Sequence, residues 1–199
     1  MEIVVKILLG LTSLVGLAFI IERAWVLRWT QVVPAEIVTA LGECRSKADV
    51  AKLRGACEAR PSPLGRLILT AADHLDWPKA DSVEALETAA RHEIVRLERN
   101  LVVLEIIVGI APLLGLVGTI AGMMTLFANV GVSGLNDAGR LASGIALILN
   151  ATLAGLLIAI PALISWSYFS KKVEVLAAEL EALCSEFVRR QYREKSEKP

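Results

Sequence analysis

IIVGIAPLLGLVGTIAGMMTLFANVGV, residues 106–132, carries no charged side chain along its whole length. LASGIALILNATLAGLLIAIPALISWSYF, residues 141–169, repeats that feature after a short link. Each run exceeds the roughly 20 residues needed to cross a bilayer core about 30 Å thick. Backbone in hydrocarbon must satisfy its own N–H and C=O groups, which a helix does within one segment. The two runs therefore read as a transmembrane helical hairpin, residues 101–132 and 141–170, turned at the turn-rich residues 133–140.

Working outward, residues 3–21 form another apolar run, interrupted by Lys6 and by small or hydroxyl residues such as Thr12 and Ser13. It ends in Glu22, Arg23, Trp25 and Trp29 instead of an Ala-x-Ala cleavage site, and so reads as a retained signal anchor within residues 1–29. Trp25 and Trp29 lie one helical turn apart, where an interfacial aromatic belt falls. The chain has 199 residues, 55% of them hydrophobic, and a mean hydropathy of +0.58, the composition of a membrane protein. The fold class expected is all-α, a polytopic membrane protein with three spans and long helical extensions.

Orientation follows from the basic residues. The 21 Lys and Arg balance 21 Asp and Glu, but 12 of the basic residues lie in the segment before the second span and 7 after the third. Arg23, Arg28, Arg96, Arg99, Lys171 and Lys172 flank the spans on one side, which the positive-inside rule makes cytoplasmic. The N-terminus and residues 133–140 then face the opposite side of the membrane, and the C-terminus is cytoplasmic. Acids match the bases locally, so no basic stripe points to nucleic acid.

Residues 30–100 have helical periodicity and no strand-like alternation. Pro34 opens a helix with Ile37, Val38 and Leu41 on its apolar side. Ser46 and Asp49 form a weak capping box for the next, with Val50, Leu53 and Cys57 on one face. Ser62 caps a third, Pro63 takes its first turn, and Leu64, Ile68, Ala71 and Leu75 recur at helical spacing until Trp77 and Pro78. From Asp81, Val83, Leu86, Ala90, Ile94 and Leu97 continue the pattern without Gly or Pro, predicting one helix that runs on through the second span. After the third span, residues 171–199 carry the stripe Val173, Leu176, Leu180, Leu183 and Phe187, which requires a partner helix. The polar tail 191–199 is expected to fray.

No catalytic constellation or metal-ligand cluster appears, and the pattern points away from an enzyme. His74 and His92 are isolated, and Cys44, Cys57 and Cys184 have no zinc or redox spacing. The chemistry-bearing residues lie in the spans. Gly115, Gly118 and Gly122 on the second, and Ala151, Gly155 and Ala159 on the third, let backbones approach closely. Thr119 and Thr152 lie on or beside those faces, and each hydroxyl can bond back to its own helix. Asn150 brings an amide that needs either a cavity or a neighbouring helix. Glu105 is the acid at the cytoplasmic entry of the second span, placed to snorkel or to pair with Arg99 or Lys172. Pro112 and Pro161 each remove one helix hydrogen bond.

IAPLLGLVGTIAGMMTLF, residues 110–127, resembles the second transmembrane segment of the MotA/TolQ/ExbB ion-channel family, and LASGIALILNATLAGLLIAIPALI, residues 141–164, resembles its third. The three-span topology is similar to the ExbB/TolQ branch. The resemblance implies a homopentamer around a dimer of an ExbD- or TolR-like single-span protein. Proton or sodium flow would move that dimer and do work on the envelope or on active transport, in some systems through a TonB-like protein. It implies no cofactor beyond the transported H+ or Na+. It also implies that Thr119 and Thr152 face the ion path, with Pro112 and Pro161 where the helices adjust near the partner. The family commonly carries glutamate after Gly-Ile-Ala in the third span, and here that position is Leu147, which supplies neither charge nor proton relay. Asn150, about 60° round the helix and one turn along, keeps that wall polar but does not titrate. A conducting motor subunit is therefore the leading expectation. The alternative is a non-conducting scaffold of the same architecture, and a transporter or enzyme acting alone is disfavoured.

Overall fold

A computed structural model describes residues 2–44, 47–133 and 138–197. Eight helices follow one another: α1 (Glu2–Val26), α2 (Trp29–Val32), α3 (Ala35–Glu43), α4 (Lys47–Ala59), α5 (Pro63–Asp73), α6 (Lys79–Glu98), α7 (Leu101–Ser133) and α8 (Ala138–Glu197). No strand occurs among the described residues. Three segments are long and apolar enough to cross a membrane: Ile3–Val26, Leu101–Ala128 and the run that opens at Gly144. The chain is thus an all-α membrane protein, and it divides into two compact units. One comprises Met1–Arg23 and Asn100–Tyr168, the other Ala24–Arg99 and Phe169–Pro199.

In the first unit α7 packs antiparallel on the front of α8. Contacts step from Ala111 and Gly155, through Gly115 and Ala151, to Gly122 and Ile148. Helices in lipid gain little from burying apolar surface against one another, so close backbone approach at small residues provides the attraction. Ile107, Ala111, Ala159 and Ala162 form the buried cluster, with Val15 of α1 and Ile158 packed on it. Large apolar side chains point outward, among them Leu14 and Leu17 of α1, Leu113 and Val117 of α7, and Leu157 and Ile164 of α8. In water such a surface would drive aggregation, whereas lipid or neighbouring spans cover it without cost.

The second unit is built on α3 to α6 and the later part of α8. Ser62 caps α5 by accepting a hydrogen bond from the Gly65 N–H at 3.0 Å, with Pro63 in the first turn. Ile37 and Leu41 of α3, Val50, Leu53 and Cys57 of α4, and Leu64, Ile68 and Ala71 of α5 are buried, as the periodicity predicts. Ser46 lies outside the described residues. Helix α5 stops at Asp73, short of Trp77, and Leu75 falls in the turn that follows. The stripe Val173, Leu176, Leu180 and Phe187 of α8 is buried within this unit. Glu93 of α6, itself buried, receives Arg66 Nε and Arg96 Nη1, each at 2.9 Å, so α5 and α6 are clipped together.

Two expectations are corrected. The predicted continuous helix from Asp81 through the second span is broken at Arg99 and Asn100. The Asn100 Nδ2 donates to Glu22 Oε1 at 3.3 Å, and asparagine is a weak helix former because its side chain finds such partners outside the ladder. The tail expected to fray is helical to Glu197. Gln191 is buried with its amide against Cys44 Sγ at 3.7 Å, and the Tyr192 hydroxyl donates to the Trp77 carbonyl at 2.8 Å. A polar tail stays ordered where its polar atoms find partners. Of the expected link at residues 133–140, Ser133 closes α7 and Ala138 opens α8. Residues 134–137 lie outside the described set.

Candidate functional site

The site is built from one carbonyl and two hydroxyls. In α7 the Thr119 hydroxyl donates back to the Gly115 carbonyl, one turn earlier, at 3.1 Å. Thr152 of α8 faces that same carbonyl at 3.4 Å and is also directly hydrogen-bonded to Thr119 Oγ1. The sequence leaves open whether each hydroxyl serves only its own helix. Here Thr152 bonds across the hairpin.

Glycine makes this possible. A Cβ on Gly115 would lie 2.8 Å from the Ala151 carbonyl oxygen and 3.0 Å from Thr152 Cα. Any other residue would force the helices apart at the level of the threonines. A Cβ on Gly155 would lie 2.5 Å from the Ala111 carbonyl oxygen. Gly118 and Gly122 are equally tight, against the side chains of Ala151, Val5 and Ile148.

Both threonines are half-buried. Their two protons serve three oxygens, so either hydroxyl can donate to the carbonyl while the other donates within the pair. None of the three oxygens is ionisable in the physiological range. The cluster can therefore accept a hydrogen bond or ligate a cation, but it cannot itself take up and release a proton.

Asn150 does not join the pair. It is exposed on the adjoining face, where with Lys6, Leu9, Gly118, Ile148 and Ala154 it lines a cavity of about 300 Å³. Leu147 lies in α8, and its side chain is outside the described residues. Pro112 is half-buried in α7, Pro161 is exposed in α8, and both are accommodated inside continuous helix. Glu105 is exposed in the second turn of α7.

Sequence reading misses the Gly115 carbonyl, a backbone atom with no residue signature, and the place of Lys6 in the cavity. The only trace of Lys6 was its position as the lone charge within the first apolar run. It also misses the polar cluster at the end of the first span. There Arg23 is buried with its guanidinium on Glu22 at 2.6 Å, and Asn100 bonds to the same carboxylate.

Residues 60–182 match the sequence model of the MotA/TolQ/ExbB proton channel family. The chain is 38% identical over 103 residues to the biopolymer transport protein ExbB of Helicobacter pylori, covering 52% of this chain and 66% of that protein. It is 34% identical over 197 residues to a putative biopolymer transport protein, ExbB-like 1, of Synechocystis, covering 92% and 76% respectively. With the ExbB of Aquifex aeolicus it shares 31% over 108 residues, 54% of this chain and 72% of that protein. The apolar hairpin and its small-residue packing define a helical membrane protein, and the family match makes it a channel subunit. The chain belongs to the MotA/TolQ/ExbB proton channel family, in its ExbB-like branch.

Proposed function

We propose that this chain is the ion-path subunit of an inner-membrane motor. It assembles as a pentamer around a dimer of an ExbD- or TolR-like single-span protein, with its N-terminus periplasmic and its C-terminus cytoplasmic. Proton or sodium flow down its gradient moves the inner dimer. The movement does work on the envelope or on active transport, and no covalent reaction is catalysed.

The observation that carries this reading is the pairing of Thr119 and Thr152 on the Gly115 carbonyl, inside the two runs 106–132 and 141–169 that hold no charge. Three converging neutral oxygens in such a place offer a passing ion or protonated carboxyl the contacts that lipid cannot. Since none of them titrates, the proton-carrying group belongs to the partner, whose membrane aspartate would lie against the pair.

Leu147, in place of the usual acid, favours a second reading, a scaffold of the same architecture that does not conduct. Reconstituting the complex with its natural single-span partner in liposomes, and measuring proton and sodium flux under an imposed potential, separates the two. Flux that vanishes when the partner's membrane Asp becomes Asn supports the motor. Absence of both fluxes from an intact complex supports the scaffold.

A further inference from the structure

The glycines described in α7 and the front of α8 differ in what an added methyl group would meet. At Gly122 and Gly144 the nearest atoms belong to the branched side chains of Ile148 and Leu126, which can turn aside, and at Gly118 the nearest is the Ala151 Cβ at 2.9 Å, a side-chain atom but one fixed to its backbone. At Gly115 and Gly155 they are carbonyl oxygens of the facing helix, Ala151 and Ala111, at 2.8 and 2.5 Å. A backbone carbonyl inside a helix has no rotamer to change, so relief there requires the helices to separate.

Both of these glycines lie within one turn of the threonine pair. Gly155 lies one turn beyond Thr152 in α8. Gly115 lies one turn before Thr119 in α7 and supplies the carbonyl on which both hydroxyls converge. The Cβ position on Gly155 falls 3.2 Å from Gly115 Cα, so the two form one contact.

We infer that Gly155, seated on Gly115, is a positioning residue that sets the separation of the Thr119 and Thr152 hydroxyls and thereby which ion the pair accepts. The selectivity half of this inference rests on the proposed ion path, while the spacing half stands on the geometry alone. A methyl at Gly155 must gain about 0.9 Å to reach the 3.4 Å of ordinary contact with the Ala111 oxygen. One turn away, a gap of that size exceeds the tolerance of a hydroxyl–hydroxyl bond. The pair then opens, and its oxygens present a wider and less selective site.

The test is a cross-link in membranes between the double variant's sulfurs, Thr119→Cys/Thr152→Cys, with copper–phenanthroline, read as yield per inserted chain. The parent chain, with its three native cysteines, is the background. The cross-link should form readily and fall several-fold when Gly155→Ala is added, while Gly109→Ala, which meets open space, leaves it unchanged. In chains with both threonines intact, Gly155→Ala should change the ratio of sodium to proton flux several-fold. A merely structural defect would lower the amount of complex without changing that ratio.

A cross-link that is absent from the double variant, or indifferent to Gly155→Ala, overturns the inference. Should Gly155→Ala not insert, Gly115→Ala tests the same contact from the facing helix. Failure of both to insert would also overturn it, because a spacing role leaves a hairpin that still forms. A cross-link that responds while flux ignores Thr119→Ala and Thr152→Ala would keep the spacing role and sink the ion-path reading.

Discussion

Thr119 and Thr152 are hydrogen-bonded to each other across the hairpin, and the Gly115 carbonyl lies within reach of both hydroxyls. Replacing Thr152 by Ala leaves Thr119 on that carbonyl and removes one net hydrogen bond, worth about 1 kcal/mol. The complex should therefore still assemble. Losing one of three oxygens from an ion path should cut flux by about tenfold, the equivalent of 1.4 kcal/mol in a barrier. Thr152→Ser, which keeps the hydroxyl, should retain most of the flux. Equal flux through the Ala and Ser variants in liposomes would remove the hydroxyl from the path.

Cys184 on α8 is buried, and burial pushes its thiol up to about 12, from an ordinary value near 9. Cys57 on α4 is pushed up to about 11, by burial first and by neighbouring Glu58 second. A raised pKa means that the folded state holds the proton after the unfolded chain has lost it. Stability from these groups is therefore complete below pH 9 and is lost as pH rises toward 11 and 12. The slope is about 1.4 kcal/mol per pH unit for each group within that window. Melting temperatures in detergent should be flat from pH 7 to 8.5 and fall above pH 9, less steeply in Cys184→Ala. Maleimide labelling of the folded chain should be slow at pH 7.5, and rapid labelling would contradict the burial.

Glu93 is held by two arginines from different directions, Arg66 of α5 and Arg96 of its own helix α6. The Arg66 guanidinium is raised above the usual arginine range, chiefly by its hydrogen bond to Glu93. A raised basic group contributes stability that is present below its unfolded pKa, so from the arginine side the clip is constant across physiological pH. Glu93→Gln keeps the volume but removes the charge that both guanidinium groups face. Arg66 is 43% exposed, so water takes up part of what is lost. A destabilisation of about 1–3 kcal/mol is expected in urea unfolding of the detergent-solubilised chain. An unchanged midpoint would make the clip ornamental.

The spans and their small-residue faces are legible in the sequence because lipid imposes a simple rule: no charge, long runs, and glycine where backbones meet. The Ser62–Pro63 helix start is legible for a local reason, since a cap is written within four residues. The break at Asn100 is not. It depends on Glu22, 78 residues away in the chain, and the apolar pattern crosses the break without a gap. The order of the tail is hidden in the same way, because Gln191 and Tyr192 look like solvated residues until Cys44 and Trp77 are brought beside them. At the candidate site the two threonines can be picked out, but the shared acceptor is a main-chain oxygen and leaves no trace in composition or spacing.

The Tyr192 hydroxyl donates to the Trp77 carbonyl, with the His74 carbonyl at 3.3 Å as a second acceptor. These two carbonyls belong to the corner between α5 and α6, where the His74 ring stands edge-on to Trp77 with centroids 4.2 Å apart. The tyrosine therefore ties the last turns of α8 to this corner. Tyr192→Phe keeps the ring and deletes the tie, at about 0.5–1.5 kcal/mol. Because the tie joins only these turns of α8 to one corner, its loss should appear as local opening more than as a shift in global melting. Amide hydrogen exchange over residues 189–197 should quicken several-fold, as should tryptic cleavage at Arg190 and Arg193, while exchange in α7 stays unchanged. Unaltered exchange in the tail would show that Gln191 and the buried stripe of α8 hold it without the tyrosine.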